Sequence, residues 1–265
     1  MAPRSQTPGQ TQRSTRTSGA RSGVRKSALA EITIGDMILL SRDVFFQERG
    51  GQSSMSVRES LTSTSDPGSL SSRLRRRRIR ALCRVFPELP EMNVIDLGGR
   101  PSNWEQLAVR PLSVLCVNIE KHSATDRIGC VEGDICDVEF VRKLGSFDLA
   151  FSNSTIEHVG GHARREQFAQ VVRLIAPHRW VQTPNRYFPV EPHAVFPGFQ
   201  FLPIRLRHTV GRKWPLSRLG TDGDLLEEIL NIELLSESEL RYYFPGDQIW
   251  KERIAGLAKS LVAYH

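Results

Sequence analysis

Glu157 and His158 close the run Phe147-Asp-Leu-Ala-Phe-Ser-Asn-Ser-Thr-Ile-Glu-His-Val159, where an apolar stretch gives way to polar side chains before a Gly-Gly break. A histidine titrates near neutrality, and a carboxylate beside it suits proton transfer, so His158 is the first candidate for a general base or substrate contact. A histidine at a helix start, bonded to backbone, is the plain alternative. His193 and Glu191 are the second candidates, and Asn185, Tyr187 and Glu191 are candidate substrate contacts. About fifty residues upstream of the first run, Asn93-Val-Ile-Asp-Leu-Gly-Gly99 repeats its form, an apolar strand with an acid ending in glycines. In open α/β sheets, ligands sit outside the carboxyl ends of strands, where such residues converge. Two strand ends of this kind suggest a nucleotide-type ligand, and a transferase rather than a structural protein.

Glycines 98 and 99 would let the backbone approach a ligand closely. Ser102 followed by Glu105 fits a capping box opening the next helix. The spacing is not GxGxxG, because the glycines are adjacent and Arg100-Pro101 follows. The second expected strand ends Val117-Asn118-Ile119-Glu120, where nucleotide-binding α/β folds place an acid on the ribose hydroxyls. Glu120, or Asn118 as a neutral substitute, fits that task. The third strand runs into Gly133-Asp134-Ile135, where Asp134 could accept from an adenine amino group.

These residues need a scaffold, and the rest of the chain supplies the pattern of one. From Asn93 the sequence alternates strand and helix as parallel βαβ units do. Strands are expected at 93–97, 113–119, 129–132, 147–152 and 179–182. Helices are expected at 71–86, 104–109, 138–144, 163–175, 224–230 and 237–243, with Phe168, Val171, Val172 and Ile175 sharing one face and Leu74, Ile79 and Leu82 another. Two closing segments, 248–254 and 260–264, read as a hairpin forming an antiparallel edge on an otherwise parallel sheet. The fold class is therefore α/β and Rossmann-like. One domain over 71–265 is expected to follow a partly helical extension at 31–70, with a candidate amphipathic helix at 36–46, and a disordered tail at 1–30.

The chain has 265 residues, enough for one substantial core. Its first thirty residues carry Arg4, Arg13, Arg16, Arg21, Arg25 and Lys26 and no acid, which accounts for all but one of the formal net charge of +7. The high pI thus belongs to the tail, which argues against general nucleic-acid binding. Four cysteines, Cys83, Cys116, Cys130 and Cys136, form no CxxC pair, as reduced thiols in a cytoplasmic protein would. No apolar run reaches the roughly 18–20 residues of a membrane span.

Taken together, Val94-Ile-Asp-Leu-Gly-Gly99, Leu115-Cys-Val-Asn-Ile-Glu120, Glu132-Gly-Asp134 and the Phe147–His158 run resemble the motifs of class I S-adenosylmethionine-dependent methyltransferases, in the group labelled methyltransferase type 11. Val181-Gln-Thr-Pro-Asn-Arg-Tyr-Phe-Pro-Val-Glu-Pro-His193 resembles the segment after the fifth strand in one subgroup. The resemblance covers about residues 71 to 265. It implies S-adenosylmethionine as cofactor, with Asp96, Gly98 and Gly99 at the methionine end, Glu120 on the ribose and Asp134 and Ile135 at the adenine. Ser152 and Asn153 would line the site near the sulfonium. A missing third glycine is the departure from the family pattern. The implied acceptor is a small molecule, glycan or lipid-linked intermediate, because no recognition domain is appended.

The stretch 184–210 holds five prolines and four phenylalanines, followed by arginines. It reads first as a lid-like insertion over the site, second as aromatic packing, third as shallow contact with a membrane surface. Arg75-Arg-Arg-Arg78 reads as a solvated basic helix face. No HExxH is present, so no metal is expected. Two rival functions stand beside methyl transfer: an NAD(P)-dependent Rossmann oxidoreductase, and a catalytically degenerate binding or scaffold protein.

Overall fold

The computed structural model describes residues 70–105, 107, 109–220 and 225–265. The expected basic tail, and the extension up to residue 69 with its candidate helix at 36–46, lie outside the described residues. Five strands run in parallel: β1 (Asn93–Leu97), β2 (Ser113–Asn118), β3 (Ile128–Glu132), β4 (Leu149–Asn153) and β5 (His178–Pro184). Two short strands, β6 (Val190–Glu191) and β7 (Phe196–Pro197), pair only with each other. The closing hairpin is β8 (Gln248–Ile254) and β9 (Leu257–Tyr264), and the main sheet has the order β3-β2-β1-β4-β5-β9-β8.

The hairpin forms the edge of the sheet outside β5, as the pattern of its two segments predicts. Strand β9 lies between β5 and β8, antiparallel to both, so β8 is the outer strand and runs with the parallel set. Composition explains the choice. Leu261, Val262 and Ala263 of β9 are fully buried, whereas β8 reads Gln-Ile-Trp-Lys-Glu-Arg-Ile, with polar residues suited to an edge.

Helices cover both faces. On one lie α1 (Leu70–Val85) and α2 (Ser102–Glu105); on the other α3 (Val138–Arg142), α4 (His162–Ile175) and α7 (Glu237–Tyr243). Alternate strand residues serve alternate faces. Val94, Leu149, Phe151, Trp180 and Val262 pack with Leu82 of α1 and with Phe86 just beyond it, while Ile95, Leu97, Ala150 and Val181 pack with Phe168, Val171, Val172 and Ile175 of α4. Both faces of the sheet are therefore dry, as a parallel sheet requires. Helix α7 opens on a capping box between Ser236 and Glu239.

Helix α2 differs from expectation. It occupies Ser102–Glu105 rather than 104–109, and Ser102 is its first helical residue, not its cap. The turn preceding it supplies the first acceptors: Asn103 N–H bonds the Arg100 carbonyl, and Trp104 and Glu105 N–H bond that of Pro101. Pro101 at the helix start has no N–H to leave unpaired.

The segment 184–210 contains β6 and β7, a 3-10 turn at Phe199–Phe201 and the start of α5 (Ile204–Lys213). Phe199, Ala194 and Leu219 form a small core with Leu225 and Ile229 of α6 (Leu225–Asn231). Phe188 and Phe199 are buried and Phe196 half-buried, while Phe201 is exposed and stacks on the exposed Tyr187. No described helix is long and apolar enough to cross a membrane.

Candidate active site

Strands β1 and β4 are neighbours in space, and the chain winds away from them in opposite directions. That is the switch point of an open sheet, where a crevice opens at the carboxyl ends of the strands. The candidate residues gather there because each sits on a strand end or in the turn after it.

Asp96 is one residue from the end of β1 and only 1% exposed. The Trp104 indole N–H donates to its Oδ2 at 2.7 Å, and its buried Oδ1 has no partner. Burial raises the Asp96 pKa to about 7, with the Trp104 bond pulling the other way. Gly98 has φ +85°, and a Cβ there would lie 2.3 Å from Thr155. At Gly99 a Cβ would lie 1.9 Å from Asp96 Oδ2, so the second glycine is required by the carboxylate beneath it. Asn118 fixes this turn from β2, donating to the carbonyls of Gly98 and Gly99 at 3.3 and 3.1 Å.

Glu120 is half-exposed and pairs with Arg100 at 2.7 Å, while its N–H bonds Asn118 Oδ1. The atypical Arg100 thus orients the acid expected on a ribose. Asp134 accepts a bidentate pair from Arg164 of α4, both bonds 2.8 Å, plus the N–H of Cys136. Those bonds, the Arg164 one foremost, hold its carboxyl below the usual range against a small opposing effect of burial. Ile135 is buried in the core with Val141.

The two β4 candidates differ. Ser152 is fully buried and its hydroxyl donates to the Leu97 carbonyl at 2.9 Å, tying β4 to β1. Asn153 is exposed and accepts from Arg78 at 2.7 Å. Ser154 follows with φ 56°, a left-handed conformation uncommon outside glycine.

Glu157, His158 and His193 are brought together, although 35 residues separate the histidines. Glu157 is 1% exposed; Thr183 donates to its Oε2 at 2.9 Å and its Oε1 has no partner. Burial pushes its carboxyl up to about 7, against the pull of His193, Thr183 and its own backbone. The two histidine Nε2 atoms face each other at 3.2 Å with the rings edge to face. Glu191, 2% exposed, holds His193 at Nδ1 (2.6 Å) and accepts the N–H groups of His193 (2.8 Å) and Ala194 (2.5 Å). Burial opposes the charged form of His193, but the Glu191 bond and charge outweigh it and raise its pKa. His158, packed round by protein with one edge open to solvent, is held below its ordinary value by desolvation and then by His193. Asn185 is occupied by structure: its amide donates to the Ala258 carbonyl and its Oδ1 accepts from Tyr187 N–H.

Arg78 was not among the sequence candidates. Rather than lying on a solvated face, it reaches from α1 to residues of three strands, bonding Asn153 and Gln182 (2.8 Å) and standing 3.5 Å from Glu252, which is fully buried. Lys259 on β9 was also missed; burial lowers its pKa to about 8, with Arg78 and Arg218 adding and Glu252 opposing. The inward turn of one arginine in a run of four leaves no local signal. Only its place on the side of α1 bearing Leu74 and Leu82 hints at it.

This arrangement defines a class of fold. Five parallel strands in the order 3-2-1-4-5, followed by an antiparallel strand inserted before the outermost one, form the Rossmann-like fold of class I methyltransferases. No protein-family model and no curated protein matches the chain. Among solved structures it is similar to an S-adenosylmethionine-dependent methyltransferase from Anabaena variabilis at 13% identity, covering 88% of this chain and 94% of that one with a TM-score of 0.48. It is also similar to magnesium protoporphyrin IX methyltransferase from Synechocystis, with S-adenosylhomocysteine bound, at 9% identity, 86% and 94% coverage and a TM-score of 0.45. An N-methyltransferase from Bradyrhizobium japonicum matches at 10% identity, 76% and 97% coverage and a TM-score of 0.44. At such identities the fold assignment rests on strand order and direction.

Proposed function

We propose that this chain transfers a methyl group from S-adenosylmethionine to an acceptor bound between the β4–β5 strand ends and the 184–210 insertion. The observation that carries the reading is three acids at three adjacent strand ends. Asp96 near the end of β1, Glu120 after β2 and Asp134 after β3 follow the order that the methionine, ribose and adenine parts of the cofactor need. Glu120 would bind the ribose hydroxyls by charge-assisted bonds, kept in place by Arg100. Asp134, held ionised by Arg164, would accept from the adenine amino group. Asp96, too buried to reach solvent, would shape the glycine turn against the methionine end.

Methyl transfer is an in-line displacement. An electron pair on the acceptor forms the new bond to the methyl carbon, and the sulfur leaves with its pair as a neutral thioether. The chain's tasks are alignment, exclusion of water and acceptance of the acceptor's proton. His158, Glu157 and His193 stand on the acceptor side, with Glu157 titrating close to neutral pH. The insertion would act as a lid, since it carries His193. A nicotinamide oxidoreductase is disfavoured because the dinucleotide-binding order continues with a parallel sixth strand, whereas β9 is antiparallel.

Calorimetry with S-adenosylmethionine, S-adenosylhomocysteine and NAD(P)H tests the reading. Micromolar binding of the sulfur nucleotides, weakened at least tenfold by Glu120→Ala and Asp134→Asn, is expected. Binding to neither sulfur nucleotide would sink it.

A further inference from the structure

We infer that Glu157, His158 and His193 form a binding site for one divalent transition-metal ion, with Glu191 positioning His193 as a ligand. Each residue offers one donor atom, and the three lie within 4.8 Å of one another. Two imidazoles and a carboxylate are a donor set that suits zinc-class first-row ions.

The geometry goes beyond proximity. Two donors bound 2.0–2.1 Å from one ion stand about 2.9–3.4 Å apart, in tetrahedral or octahedral geometry. The Nε2 atoms of His158 and His193 are 3.2 Å apart, so an ion could bridge them with little movement of either ring. With Nδ1 of His193 donating to Glu191 at 2.6 Å, the neutral ring would turn an Nε2 lone pair toward His158. A carboxylate bonded to the far nitrogen of a ligand histidine fixes ring and tautomer, and raises the ligand's basicity. The third donor is independent of both rings. Glu157 is 1% exposed, Thr183 occupies its Oε2, and its buried Oε1 has no hydrogen-bond partner. A buried acceptor without a partner costs stability unless something satisfies it, and a cation would.

Backbone strain marks the same place. Val195, two residues past His193, has φ 50°, which is rare for a β-branched residue. The Glu191 carboxylate holds the N–H groups of His193 and Ala194 on either side of that turn's start. Such over-determined strain clusters at ligand clamps. Access exists as well, because His158 is exposed to solvent. Three protein donors leave a coordination position open, as catalytic rather than structural sites do. This deepens the methyl-transfer reading, since an acceptor oxygen in that position would be polarised, but its test does not depend on that reading.

The full chain, stripped with a chelator, is titrated with Co²⁺ followed by visible absorption and with Zn²⁺ followed by calorimetry, in the absence of nucleotide. One equivalent with ligand-field absorption is expected. His158→Ala, whose ring is exposed, and His193→Ala should each abolish that absorption while circular dichroism stays unchanged. Glu157→Gln should shift the spectrum and weaken binding. Glu191→Gln should weaken it about 10–100-fold without changing the spectrum's form. Absence of saturable binding below millimolar metal would overturn the proposal. Equal binding by wild type, His158→Ala and His193→Ala would overturn it too, placing the ion elsewhere. Metal binding without sulfur-nucleotide binding, or the reverse, separates this inference from the function proposed above.

Discussion

Replacing Trp104 with Phe removes one hydrogen bond from a buried carboxylate and nothing charged. The Asp96 pKa, about 7, is above its unfolded value because burial penalises the charged form, and the indole N–H limits that rise. A group whose folded pKa is raised stabilises the fold below its unfolded pKa and loses that contribution as pH rises through the folded value. In the wild type this loss runs between roughly pH 4 and 7 and then stops. A hydrogen bond to a charged group contributes about 1.5–3 kcal/mol, so losing it should raise the folded pKa by about 1.5 units. In Trp104→Phe the decline then continues to roughly pH 8.5. The variant's deficit should therefore grow by about 1.5 kcal/mol between pH 5.5 and 8.5, above a constant cost from the smaller ring. Urea melts followed by circular dichroism at both pH values measure it. A deficit equal at the two pH values would refute the account of Asp96.

Gly99→Ala should lose about 1–3 kcal/mol of stability and most nucleotide affinity, because its Cβ would meet Asp96 Oδ2 at 1.9 Å; chemical denaturation and calorimetry read both. Arg78→Ala leaves the fully buried Glu252 without its guanidinium and should cost about 3 kcal/mol in urea melts, partly recovered by adding Glu252→Gln. Arg164→Ala should weaken S-adenosylmethionine binding about tenfold by releasing the Asp134 carboxylate from its fixed orientation, measured by calorimetry.

Strand positions were legible because each of β1 to β5 is a short apolar run broken by glycine, proline or a polar turn, and β1 falls at the residues expected. The acids at the strand ends were legible for the same reason: a parallel sheet puts the residue after each strand on one rim. What the sequence hid depends on contacts across the chain. Trp104 finds Asp96 only because α2 begins two residues earlier than its pattern suggests. Arg164 reads as one of three arginines on a helix until the sheet carries Asp134 beneath it. The expectation of no metal came from the lack of a short ligand spacing, and that argument does not reach donors on separate loops. His193 meets His158 through the 184–210 insertion, whose path no local periodicity encodes. The position of β9 was hidden likewise, since a hairpin pattern fixes which strands pair but not which of them lies inward.

The inward place of β9 has a consequence for how the protein acquires its shape. It is the last strand in the described chain, yet β5 on one side and β8 on the other both depend on it for their backbone partners. Until it docks, β5 is an open edge bearing Trp180 and Val181, which invites association with other chains. Strands β1 to β4 can pair without it. The half bearing Lys259, and the loop fastened by Asn185 to β9, cannot. Refolding should therefore show two phases: a fast one that pairs β1 to β4, and a slower one, set by a long-range antiparallel pairing, that completes the β5–β9–β8 side.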